Sequence, residues 1–291
     1  MTNDLTIQPF FHHASGTWTH VVSRGRDAVV IDPVLDYDAP SGRIHADSAR
    51  QVLDYIAERA LHVHHILETH AHADHLSAAA MMRARTGAPI AIGAGIRSVQ
   101  AHFSGVFHLA ADDAGLTDAF DRLLREGDVI DTGELRIEVL ATPGHTRDGI
   151  SYRVDGNAFV GDTLFAPDVG TARCDFPGGS VEQLFASIQR LHALPEDTVL
   201  WLCHDYPPVG RAPRASVGVV ESRRDNRMLR GGTTLAEFCA ARHARDATLP
   251  VPTLLYPALQ VNIRGGRLPP PEYGCTYLRT PVHTDPSAAG V

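Results

Sequence analysis

The sequence predicts an α/β protein built as an αβ/βα four-layer sandwich, in which two mixed β-sheets are covered by helices on both outer sides. Two observations lead there. Short strand-like runs recur in pairs between stretches of helical periodicity. The length of 291 residues, with 44% hydrophobic and 21% charged residues, is ample for a sizeable core.

Taken in order, residues 10–22 and 27–31 read as opening strands, the second ending at Asp32-Pro33. Residues 47–61 place Val52, Leu53, Ile56, Ala57 and Ala60 at helical spacing behind an Asp47/Ser48 N-cap. Residues 63–67 are an apolar strand, and 76–85 a helix that stops at Gly87. A short strand over 88–92, a helix over 96–103 and a loop over 109–116 follow. Residues 134–140 alternate polar and apolar side chains and break at Thr142-Pro143-Gly144. Asp155-Gly156-Asn157 signals a hairpin between strands 150–154 and 158–160. Residues 181–194 are helical with Leu184, Ile188 and Leu191 on one face, and 198–203 form a buried strand. Beyond Pro213 the pattern changes to helices over 217–229 and 234–245, then a Pro-rich tail. Residues 1–210 are therefore read as the catalytic domain, and 211–291 as a helical extension packed on it.

Composition excludes several classes. A net charge of −8 with scattered Arg residues argues against nucleic-acid binding. No apolar run approaches the roughly 18–20 residues needed to span a bilayer. The N-terminal stretch has no Lys or Arg before Arg24 and reads as neither a secretory signal nor a transit peptide. Cys174, Cys203, Cys239 and Cys275 lack CxxC pairing, which suits reduced thiols in a cytoplasmic protein. An apolar face on the extension leaves room for a homodimer.

The most informative run is Thr69-His-Ala-His-Ala-Asp-His75, which places His70, His72, Asp74 and His75 on one loop between a strand and a helix. Open α/β sheets put their sites at such strand ends. Three more strong ligands follow strands in the same way: His145, Asp162 and His204. Two uses of this set compete. With two ions, His70, His72 and His145 hold one, Asp74, His75 and His204 the other, and Asp162 bridges them, as in metal-assisted hydrolysis. With one ion, His70, His145 and Asp162 form the 2-His-1-carboxylate set of non-haem Fe(II) oxygenases. His72, Asp74, His75 and His204 then orient the ligands and tune the metal.

The order HxHxDH, H, D, H over residues 60–210 resembles the metallo-β-lactamase superfamily. Gly161-Asp162-Thr163-Leu164, Arg173-Cys174-Asp175-Phe176 and His204-Asp205-Tyr206 are similar to motifs of its persulfide dioxygenase branch. So are Glu221 with Asn226-Arg227-Met228-Leu229, and the segment Leu259-Gln260-Val261-Asn262-Ile263-Arg264. The stretch between Asp162 and Arg173 is about two residues longer than usual, and Cys174 stands where Thr is usual. These departures resemble bacterial β-lactamase-related hydrolases of sulfide metabolism. The basic C-terminal clamp of glyoxalase II is not found.

The resemblance implies one Fe(II) per chain on His70, His145 and Asp162, with two Zn(II) as the alternative. It implies a low-molecular-weight persulfide, glutathione persulfide foremost, and O2 as substrates, with no nucleic-acid or membrane partner. Arg173 and Tyr206 are the candidate catalytic residues, and Arg173, Asp175 and Tyr206 the candidate substrate-binding ones. A plain loop salt bridge between Arg173 and Asp175 is the competing reading. Thioester hydrolysis of the glyoxalase II kind is the alternative activity. Asp32 is expected to buttress a ligand loop, and Cys174 to be an inert buried thiol. His64 and His65 should lie off the metal, and His12 and His13 near the cleft at most. His102, His108, His192, His243 and His283 should be surface residues.

Overall fold

The computed structural model describes residues 4–110, 113–282 and 284. In chain order the elements are β1 (Thr6–His12), β2 (Thr17–Arg24), β3 (Asp27–Ile31), β4 (Val34–Asp38), β5 (Arg43–His45), α1 (Asp47–Glu58) and β6 (His62–Leu67). There follow β7 (Leu76–Ser77), α2 (Ala79–Thr86), β8 (Ile90–Gly93), α3 (Ile96–Phe107), the single turn α4 (Ala114–Thr117), β9 (Arg122–Leu124), β10 (Val129–Asp131) and β11 (Arg136–Ala141). The chain continues through β12 (Ile150–Val154), β13 (Asn157–Phe159), α5 (Val181–His192), β14 (Val199–Trp201), β15 (Ser216–Gly218), α6 (Val219–Asp225), α7 (Leu235–Asp246) and α8 (Leu255–Asn262).

Two six-stranded mixed sheets result. The first has the order β1-β2-β3-β6-β8-β9 and the second β10-β11-β12-β13-β14-β15. β3, β6, β8 and β9 run parallel, as do β13 and β14, while the remaining neighbours in each sheet are antiparallel. The alternation of side chains across each strand builds three packed layers. Val22, Val29, Ile31 and Leu67 of the first sheet meet Ile137, Val139, Tyr152 and Phe159 of the second between the sheets. The outer face of the first sheet (Val30, Ile66, Ile90) is covered by Val52, Ile56, Met82 and Phe103 from α1, α2 and α3. The outer face of the second (Ala158, Leu200) is covered by Leu184, Ile188 and Phe238 from α5 and α7. This is the sandwich the sequence predicts.

Several elements differ from expectation. Residues 10–22 do not form one strand: the chain turns at 13–16, where Gly16 takes φ +70 and its N–H reaches His12 O at 2.9 Å. Alternation continues across such a turn, so periodicity does not reveal it. The N-terminus of α1 is not capped by its own Asp47 or Ser48. Asp36 on β4 accepts from Ser48 N at 3.0 Å and from its hydroxyl at 2.7 Å. The helix expected over 217–229 begins as a strand, because Val217 pairs with Leu200 at the edge of the second sheet. The Pro-rich tail contains α8. Pro257 falls in its first turn, where a missing N–H breaks no intrahelical bond. His192 is buried against Ser222, its Nε2 lying 3.0 Å from the hydroxyl, and is not a surface residue. His102, His108 and His243 are exposed, and His283 lies outside the described residues, as do positions 111 and 112 of the expected 109–116 loop.

Candidate metal centre

Each ligand sits where a strand runs out, and two glycines set the approach of the loops. Gly161 takes φ +51, and a Cβ there would meet Thr69 at 2.9 Å, so the turn carrying Asp162 can lie directly on the residue preceding His70. Gly144 takes φ +141 against the start of α5, where a Cβ would lie 2.3 Å from Leu184 N. His145 follows at once. The loop bearing His204 is clipped to the β1–β2 turn by Trp18 N to Cys203 O at 2.7 Å and Asp205 N to Gly16 O at 2.9 Å. Buried Asp205 holds the far side through both nitrogens of the Arg211 fork at 2.7 Å.

The donors gather in two groups that share Asp162. Its Oδ2 lies 3.8 Å from His70 Nε2 and 3.7 Å from His145 Nε2. Its Oδ1 faces His204 Nε2 at 3.5 Å. Beyond it, Asp74 lies 3.3 Å from His75 Nδ1 and 3.4 Å from His204 Nδ1, and His72 joins the same cluster. The structure thus brings all seven predicted ligands into one centre, as a triad and an adjoining foursome.

Hydrogen bonds settle which ring atoms are free. His145 Nδ1 donates to Arg173 O at 2.7 Å, so Nε2 is the ring atom left to face the centre. Thr69 Oγ1 donates to Asp32 Oδ2 at 2.9 Å and so accepts from His70 Nδ1 at 3.0 Å, freeing the Nε2 of His70 as well. Asp32 also accepts Thr69 N at 2.8 Å and His72 Nε2 at 3.1 Å, the buttress expected of it. On the other side of the loop, buried Asp148 accepts Ala71 N at 2.7 Å.

Electrostatics follow from this packing. Burial and the neighbouring imidazoles hold His70 well below its ordinary value, keeping it neutral as a ligand must be. Burial and His72 bring His75 down to about 4. Burial alone would lower His72 too, but Asp32 and Glu68 outweigh it and raise the ring well above its usual range. Burial would raise Asp74, yet His204 and His75 hold it far below the carboxylate range.

The donor set fits a divalent cation. Asp74 Oδ2, His75 Nε2, Asp162 Oδ1 and His204 Nε2 are all buried without a hydrogen-bond partner, as is His72 Nδ1, whose proton a cation would displace. Each such atom costs about 1–3 kcal/mol, a cost that a shared cation removes.

The centre opens on a cavity of about 220 Å³, lined among others by Asp74, His145, Asp162, Phe165, Phe176 and Tyr206. Tyr206 is 48% exposed and stacks parallel on His204 with centroids 5.6 Å apart. Arg173 is on the cavity wall, but its fork is engaged: Nε and Nη2 each lie 2.6 Å from Asp175, and Nη1 lies 2.6 Å from Pro250 O. Cys174 is buried outside the cavity, its thiol pushed up to about 12 mainly by burial. His64 pairs with Asp27 at 2.7 Å, away from the centre. His12 reaches it indirectly, through Ser15 at 2.6 Å and then Thr17, 3.3 Å from both His75 and His204.

Sequence reasoning missed Glu68, Asp148 and the cavity arginines 242 and 245. Glu68 and Arg242 have partners four positions along the chain, His72 and Asp246, a spacing too common to mark a site, while Asp148 acts across the fold on Ala71. Arg242 is tied to Asp246 at 2.9 Å, while Arg227 and Arg245 face the cavity with no carboxylate partner among the described residues.

A family model of the metallo-β-lactamase superfamily matches residues 14–204. The chain belongs to that superfamily. A probable metallo-hydrolase of Burkholderia pseudomallei is 44% identical over 291 residues, covering 96% of this chain and 99% of that protein. A beta-lactamase hydrolase-like protein of Agrobacterium fabrum is 46% identical over 95% of this chain, which spans 64% of that longer protein. The mitochondrial persulfide dioxygenase ETHE1 of Bos taurus is 27% identical over 92% of this chain and 91% of its own length. Among solved structures, ETHE1 from Myxococcus xanthus superposes with a TM-score of 0.71 at 31% identity, over 90% of this chain and all of that one. The superfamily fold, the metal-type donor centre and enzyme status therefore stand together. Among the described residues no helix is long and apolar enough to cross a membrane.

Proposed function

We propose that this metallo-β-lactamase-fold protein is a mononuclear non-haem iron persulfide dioxygenase. It would convert glutathione persulfide, O2 and water to glutathione, sulfite and two protons. The observation that carries the reading is the division of donors. Asp162 Oδ2 faces the Nε2 atoms of His70 and His145, whereas the Nε2 of His72 is turned onto Asp32 at 3.1 Å and Glu68 at 3.5 Å. His70, His145 and Asp162 would hold Fe(II), two neutral imidazoles and one carboxylate with the cavity on their open side. Bound there, the iron supplies the unpaired electrons that let triplet O2 react with a spin-paired persulfide. The likeness to ETHE1 supports the same reading.

The remaining residues have physical tasks. Phe165 and Phe176 exclude water beside the reacting sulfur, and Phe176 also carries the Arg173 guanidinium 5.2 Å from its ring centre. Tyr206 presents a phenol at the cavity mouth that can donate to the substrate. Arg227 and Arg245 offer guanidinium forks for the carboxylates of the glutathione tail. Arg173, bound to Asp175, shapes the loop whose carbonyl orients His145.

A second reading has its own observation. The unpartnered atoms of His72, Asp74, His75, Asp162 and His204 could hold another ion, with Asp162 bridging, as a binuclear zinc or iron hydrolase of thioesters requires. The two readings separate in one assay. The iron-loaded protein is expected to consume O2 with glutathione persulfide and to form sulfite in equal amount. Rapid hydrolysis of S-lactoylglutathione with no O2 uptake would reverse the assignment.

A further inference from the structure

Asn262 lies at the C-terminus of α8, some 190 positions from the loop that carries His72, Asp74 and His75, yet its side chain is buried in that loop at 4% exposure. Its amide nitrogen donates to His72 O and to His75 O, both at 2.8 Å, and its Oδ1 accepts Ser77 N at 2.8 Å. Two carbonyls that can only accept and one N–H that can only donate leave a single orientation for the carboxamide. Every bond it makes goes to the main chain, so it recognises the path of the loop and not a particular side chain.

The rest of α8 fixes where that carboxamide stands. Leu259 and Ile263 enter the core under the first sheet, and Ala258 and Val261 pack on Leu76. Gln100 donates to Ile263 O at 2.8 Å, and Arg264 pairs with Asp113 at 2.6 and 2.8 Å. Immediately after the helix, Gly266 passes so close that a Cβ would lie 2.8 Å from Ser77 O.

We infer that Asn262 is a positioning residue for the metal centre: it ties the carbonyls of His72 and His75 together from below and thereby sets how His72, Asp74 and His75 face His204 and Asp162. The inference concerns the centre's geometry and not the reaction proposed above: with two ions the tied residues are themselves ligands, and with one they border it through His204 and Asp162. His70 precedes the tied segment and is held separately, through Thr69 and the Asp148 bond to Ala71.

The test strips the full-length protein of metal and titrates it with Co(II), following the visible spectrum in competition with a chelator. Asn262→Asp keeps the acceptor for Ser77 N but faces two carbonyls with an oxygen. It is expected to alter the spectrum in either case, and to weaken Co(II) binding about ten- to a hundredfold where the tied residues are ligands, the range for groups that orient metal ligands, and less where the ion sits on His70, His145 and Asp162 alone. Arg264→Met loosens α8 from Asp113 instead, and should lower the melting temperature while leaving Co(II) affinity as in the wild type. Equal Co(II) affinity and an unchanged spectrum in folded Asn262→Asp would make Asn262 merely structural and overturn the inference. If Asn262→Asp does not fold, hydrogen exchange on the wild-type holoprotein decides. The Ser77 amide and the amides of α8 should then open together as denaturant rises, and independent opening would contradict the tie.

Discussion

Asp162→Ala is expected to remove metal binding altogether. The triad holds a single negative charge, and both carboxylate oxygens are aimed at imidazole Nε2 atoms 3.5–3.8 Å away. Without that charge, a divalent ion would have only neutral imidazoles on this side of the centre. His75→Ala should behave differently under the mononuclear account. It vacates the adjoining cluster, leaves His70, His145 and Asp162 intact, and should retain one iron with a smaller loss of activity. Metal analysis of both variants after gel filtration checks this. Equal loss of metal from the two would mean that both donor groups hold ions.

Asp32→Ala should produce the largest loss of stability. Asp32 directly follows β3 at 1% exposure and serves three donors: Thr69 N, Thr69 Oγ1 and His72 Nε2. Burial alone would raise its carboxyl, but His72 and the Thr69 donors hold it below the usual range. Removing one partner of a buried, hydrogen-bonded charge pair costs about 3–5 kcal/mol. Asp32 also takes φ +49, where Ala is strained and Asp or Asn is tolerated. At about 2–4 °C per kcal/mol for a large domain, the melting temperature should fall on the order of 10 °C. Asp32→Asn keeps the backbone preference and one acceptor, so it should lose markedly less. Similar melting temperatures for the wild type and Asp32→Ala would show that the loop is held by other bonds.

What the sequence revealed was mostly local chemistry. HxHxDH stands out because four ligands within six residues need no knowledge of the fold, and His145, Asp162 and His204 stand out because each follows a strand-like run. The sandwich was legible for a related reason, since paired strands and amphipathic helices repeat along the chain. Most of what escaped depends on distant contacts. β15 is three residues that become a strand only because Leu200 offers an edge to Val217. α8 was hidden by the surrounding prolines, of which its first turn tolerates Pro257. Arg173 was expected to grip the substrate, with a loop salt bridge as its rival. The fork found on Asp175 depends on a side-chain direction that spacing does not encode. The role of Asn262 rests on bonds spanning 185 to 190 positions, beyond the reach of any periodicity.

The central claim is one iron on His70, His145 and Asp162 beside a donor cluster that tunes the site without holding an ion of its own. Metal content of the full chain purified anaerobically tests it most directly. One equivalent of iron per chain, with zinc below stoichiometry, is the result the account predicts. Two equivalents of zinc per chain would contradict it and assign the centre to hydrolysis.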